Sequence, residues 1–99
     1  MNSNWPFQDA ENVAVFTVRG VVRDGHPILR VVHDVEDGAW QFLEWDTPEE
    51  KDAMILTLSE IVEFDPTVRE LADLPFGWQA TRRNGDDPWH REPNLKEGS

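Results

Sequence analysis

Apolar and polar positions alternate through the first half of the chain in a way that suits strands. Val13 to Arg19 is rich in β-branched and aromatic residues, as is Ile28 to His33. Asp24-Gly25, between them, readily takes the positive φ of a tight turn. A second turn signal, Asp37-Gly38, leads into Trp40 to Trp45, where Trp40 and Phe42 fall on one face and Gln41, Leu43 and Trp45 on the other. These three stretches are expected to form an antiparallel meander.

The period changes after Thr47-Pro48. Thr47 suits a helix cap, Pro48 the first helical position, and Glu49, Glu50 and Asp52 complement the positive end of a short helix. Met54 to Leu58 reads as a short strand. Ile61, Val62 and Phe64 within Ser59 to Phe64 have the spacing of one or two helical turns. Asp65-Pro66 opens a further helix, with Val68, Leu71 and Ala72 on its buried face and Leu74-Pro75 as its stop. Gly77 to Arg83 and Pro88 to Glu92 then flank Asn84-Gly85, a hairpin signal.

Strands interrupted late by helix predict an α+β fold with a mostly antiparallel sheet, a meander plus a C-terminal hairpin, and one to three short helices around residues 48–74. A chain of 99 residues fits one core, placed at residues 12–92, with 1–11 and 93–99 as flexible tails. Trp5 and Phe7 are expected to pack down on that core despite lying in a tail. Five Trp and five Phe offer large surfaces for burial. Trp40 and Trp78, within strands, read as core, whereas Trp45 and Trp89, at strand ends, suit either core or interface.

Charge adds what periodicity does not. The net charge is −11, and all of the excess lies between Asp34 and Asp73, where thirteen acids face only Lys51 and Arg69. Such a field repels nucleic-acid phosphates and anionic lipid and steers basic partners, although acids also serve solubility alone. Arg82 and Arg83 beside this segment read as ion-pair partners rather than an anion site. The chain has no cysteine, no apolar run long enough to span a bilayer and no secretory start, so a soluble cytoplasmic protein is expected.

Reactive motifs are not evident. The histidines His26, His33 and His90 are scattered, no Gly-x-Ser-x-Gly elbow occurs, and carboxylates are too numerous for any pair to stand out as acid and base. The six glycines form no phosphate-binding loop, so no nucleotide cofactor is indicated. His33, Asp34, Glu36 and Asp37 offer imidazole and carboxylates, but without the spacing of a zinc or calcium site; a solvated turn is the expected reading.

Asp24-Gly25-His26-Pro27-Ile28, Gly38-Ala39-Trp40-Gln41-Phe42, Leu58-Ser59-Glu60-Ile61-Val62 through Asp65-Pro66, and Leu71 to Arg82 (LADLPFGWQATR) together resemble a bacterial family of unknown function later grouped with polymorphic-toxin immunity proteins, the immunity family thirty-three type. The resemblance spans about residues 13–92. It implies an α+β fold and neutralisation of a cognate toxin by tight binding, and carries over no catalytic residue. The leading expectation is a non-enzymatic binding protein whose acidic residues Asp34, Glu36, Asp37, Glu44, Asp46, Glu49 and Glu50, with Trp45 as apolar anchor, engage a basic, toxin-like protein. The rivals are a stand-alone housekeeping or regulatory domain and a small metal-binding protein or enzyme built around His33.

Overall fold

The computed structural model describes residues 5–46 and 48–94. The strands are β1 (Ala14–Val18), β2 (Arg30–His33), β3 (Trp40–Leu43), β4 (Ala53–Thr57), β5 (Trp78–Thr81) and β6 (His90–Pro93). The α-helices are α1 (Arg19–Asp24) and α2 (Leu58–Phe64), and Glu50–Asp52 and Pro66–Leu71 are 3-10 helices. One six-stranded sheet runs in the order β4-β1-β3-β2-β5-β6. The fold is α+β and the sheet mostly antiparallel, as expected.

The meander of the first half does not form. β1 lies beside β3 and parallel to it, with Phe16 opposite Gln41, and is separated from β2. The cause is α1, which the run of valines conceals in the sequence. Asp24-Gly25 does supply a positive φ, 71° at Gly25, but there it ends a helix, with the Gly25 N–H donating to the Gly20 carbonyl. Gly20 leaves room for the Glu44 carboxylate to lie over α1 beside His26, because a Cβ at that position would meet the tips of those two side chains. A helix between β1 and β2 carries the chain past the position a hairpin would occupy. β2 and β3 do form the expected antiparallel pair, Val31 opposite Phe42, closed by the turn at Asp37-Gly38.

β3 ends at Leu43, short of Trp45, because the chain must leave the sheet there and cross the end of β1 to reach β4 on its far side. The first short helix starts at Glu50 rather than Pro48, with Glu49 at the cap position making no side-chain bond; Thr47, the expected cap, lies outside the described residues. β4 stops at Thr57 because that residue caps α2. Its hydroxyl accepts from the Glu60 N–H (3.2 Å) and the Glu60 carboxylate accepts from the Thr57 N–H (2.9 Å). Asp65 caps the next element by accepting from the Thr67 N–H, as expected, although that element winds as a 3-10 helix.

The C-terminal hairpin pairs Thr81 with His90, so its connection is longer than an Asn-Gly turn, and Gly85 does not take a positive φ. The reason is Arg82, whose buried side chain ties the loop inward. It donates to the Ile28, Thr67 and Gly85 oxygens, pairs with Asp65 and lies over the Trp89 ring at 4.0 Å.

Val15, Val31, Trp40, Phe42 and Ala80 point from one side of the sheet into a single buried cluster with Val21, Leu58, Ile61, Val68 and Leu71. On the other side, Ile55, Phe16, Gln41, Val32, Gln79 and Glu92 form one row across all six strands. Trp40 is core, and Trp78 and Trp89 pack partly against it, whereas Trp45 is half exposed. The N-terminal segment packs where described: Phe7 is buried and the Trp5 indole donates to the Asp9 carbonyl. At the other end Pro93 belongs to β6, and the Asn94 N–H donates to the Gly77 carbonyl, so the expected C-terminal tail begins no earlier than residue 95. Residues 1–4 and 95–99 of the expected tails lie outside the described residues. Among the described residues no helix is long and apolar enough to cross a membrane.

Candidate functional site

Strand β3 divides the expected acidic surface in two. Asp34, Glu36 and Asp37 lie in the hairpin turn before it, and Glu44, Trp45, Asp46, Glu49 and Glu50 follow its other end. Four residues of strand hold the groups roughly 10 Å or more apart.

At the crossover end the charges are partly answered. His26 Nδ1 lies 3.1 Å from the Glu44 carboxylate, Arg19 lies 3.6 Å from Asp52, and Lys51 lies 3.6 Å from Glu49. All of these groups except Lys51, with Asp24 and Asp46, line a groove over Gly20. Trp45 turns the other way, toward Arg30, Gln79 and Glu92 on the open sheet face. There Arg30 donates to the Gln79 side-chain oxygen, and the Gln79 amide donates to Glu92.

At the hairpin end, none of Asp34, Glu36 and Asp37 has an ion-pair partner among the described residues. Asp34 and Asp37 each accept a bond from a turn amide, that of Glu36 and Ala39 respectively, both at 3.0 Å. These bonds hold the turn rigid and leave carboxylate oxygens free to act outward. Val35, 51% exposed, lies against Gly77, and the neighbouring Phe76, 65% exposed, lies against Gly38. Two exposed apolar side chains therefore stand among unpaired carboxylates.

Behind Phe76 sits His33. The histidine is not part of a solvated turn but the last residue of β2, 7% exposed. Its ring stacks on Trp40, with centroids 3.8 Å apart and planes 13° from parallel, and Phe76 tilts over it at 4.6 Å. Nδ1 lies 2.7 Å from the Leu74 carbonyl, which can only accept, so Nδ1 carries a proton and, in the neutral ring, Nε2 is the lone-pair acceptor. Nε2 is buried with no partner among the described residues. No group of three or more histidine and carboxylate side chains among the described residues is placed to hold a metal ion.

Asp73 lines a cleft together with His33, Trp40 and Phe76, and accepts from Arg91 at 2.7 Å. That hydrogen bond, with the arginine's charge, holds its carboxyl below the ordinary carboxylate range. Arg82 is the internal ion-pair partner expected, whereas Arg83 is exposed and pairs with Asp87 instead of the acidic segment.

Sequence reasoning missed Val35, Phe76 and the buried role of His33. A usable signal was present: Phe76 stands between Pro75 and Gly77, and Val35 between acids in a turn, both positions where an apolar side chain has no core to enter. No protein-family model, curated protein or solved structure matches this chain.

Proposed function

We propose that this chain is a non-enzymatic binding protein, immunity-like in role, that engages a basic protein through the hairpin end of its sheet. The observation that carries this reading is the Val35 and Phe76 pair, exposed among Asp34, Glu36 and Asp37, none of which has an ion-pair partner among the described residues. Exposed aromatic side chains are favoured anchors at protein interfaces, while rim charges chiefly raise association rate and specificity. The crossover group of Glu44, Asp46, Glu49 and Glu50 extends the field that draws a basic partner and repels nucleic acid. Trp45 serves a separate contact on the open sheet face.

The test is affinity capture from lysate of the source organism at low salt, with the wild-type chain and with Asp34→Asn, Glu36→Gln and Asp37→Asn combined. One basic protein retained stoichiometrically by the wild type, and released by salt or by the triple substitution, supports the reading. Retention of only a general background of basic proteins, unaltered by the substitutions, overturns it in favour of a stand-alone domain whose acids serve solubility.

A further inference from the structure

We infer that the cleft bounded by His33, Phe76 and Asp37 is a receptor for a guanidinium group, that of an arginine side chain on the basic partner; this rests on the binding role proposed above. The cleft has a volume of about 540 Å³ and is lined by His33, Trp40, Phe76, Asp9, Asp37 and Asp73 among others. A space of that size accommodates a long side chain.

Three features select the occupant. The neutral His33 ring contributes a buried lone pair at Nε2 that has no donor among the described residues, Nδ1 being committed to the Leu74 carbonyl. An unmet buried acceptor carries its desolvation cost until a donor arrives. The carboxylates confer negative charge: Asp37 has no ion-pair partner among the described residues, and Asp9 accepts from the Trp40 indole at 3.3 Å. An anion is therefore disfavoured. Phe76 is 65% exposed, and its ring offers a face on which a planar cation can stack.

A guanidinium matches all three, since it is planar, permanently charged and carries five N–H donors, enough to bond Nε2 and a carboxylate together. An ammonium is a compact, strongly hydrated charge without a planar face to stack. Phe76, its ring 4.6 Å from that of His33 and largely exposed, has the freedom to shift outward far enough to open Nε2 while still flanking the guanidinium, whereas the Trp40 and His33 stack is held by the core.

The experiment is a titration of the full chain with N-acetyl-arginine methylamide, followed by NMR at the His33 ring nitrogens and the Phe76 and Trp40 ring protons, with N-acetyl-lysine methylamide as comparison. The expected result is a saturable shift at these three residues with the arginine derivative. Phe76→Ala and Asp37→Asn, both surface changes, are each expected to weaken it by about 10-fold. Absence of a saturable His33 shift, or an equal response to the lysine derivative, overturns the inference. A cleft filled only by water gives the first of these results. If the arginine derivative fails while the triple acid substitution still releases a basic protein, the receptor falls and the binding role stands; if the derivative binds and no basic protein is retained, the reverse holds.

Discussion

The Arg82 guanidinium and the Asp65 carboxylate, seventeen residues apart, form an ion pair in which the side chains are only 2% and 17% exposed. Asp65 also caps the Pro66–Leu71 helix, and Arg82 also bonds Ile28, Thr67 and Gly85. One pair thus joins the helical layer, the start of β2 and the C-terminal loop.

Removal of one partner leaves the other charge buried and unanswered. Arg82→Ala is expected to cost about 3–5 kcal/mol, read as a lower urea midpoint. Arg82→Lys recovers only part of this, because one ammonium cannot reproduce the fork that reaches the Ile28, Thr67, Gly85 and Asp65 oxygens. A neutral outcome for Arg82→Ala would show that the pair does not hold these elements together.

Thr57→Ala removes the reciprocal cap of α2 while leaving β4 and its pairing with β1 in place. A loss of about 1 kcal/mol in urea unfolding is expected, with Glu60→Ala giving a similar loss and the double variant less than the sum.

Asp73 provides a pH test. Its carboxyl is held below the ordinary carboxylate value of 3.8 first by the hydrogen bond from Arg91 and then by that arginine's charge. A carboxyl depressed in the folded state adds stability that is present above its unfolded value and is lost as pH falls through the folded one. An NMR titration is expected to place the Asp73 midpoint below 3.8, and Arg91→Ala to return it upward. No return on removing Arg91 would refute the assigned cause.

Val35→Ser and Phe76→Ala remove side chains that are mostly exposed, Phe76 giving up its contact with the His33 ring, so stability is expected to change by no more than about 1 kcal/mol. Affinity for a captured basic partner is expected to fall at least about tenfold for Phe76→Ala, measured by calorimetry at fixed salt. Asp34→Asn is expected instead to slow association and flatten its salt dependence.

Part of the capping and turn chemistry was legible before any tertiary structure. Asp65-Pro66 and Asp37-Gly38 act through neighbours within a few residues and form at the expected place, whereas Thr57, expected inside a strand, caps α2, Asp24-Gly25 ends a helix, and Asn84-Gly85 lies in a longer loop. The α1 helix was not legible, because Val18, Val21 and Val22 favour strand intrinsically and the helix exists where Val21 reaches the core and Gly20 permits close approach to Glu44. The candidate site was half legible for the same reason. Its carboxylates could be read from the chain, but their division between the two ends of β3 follows from strand pairing. The apolar pair at the hairpin end arises because the loop carrying Phe76 returns beside a turn some forty residues earlier.

The sequence alone carried the α+β class, the Asp65 cap, the β2 and β3 turn, the burial of Trp40 and the concentration of negative charge. All of these rest on local backbone preference, composition or alternation. Long-range packing set β1 parallel to β3, buried His33 with one nitrogen unmet among the described residues, and brought Val35 beside Gly77 and Phe76 beside Gly38. These depend on which distant segments lie side by side, and that choice is made by the whole core in competition rather than by any stretch of chain.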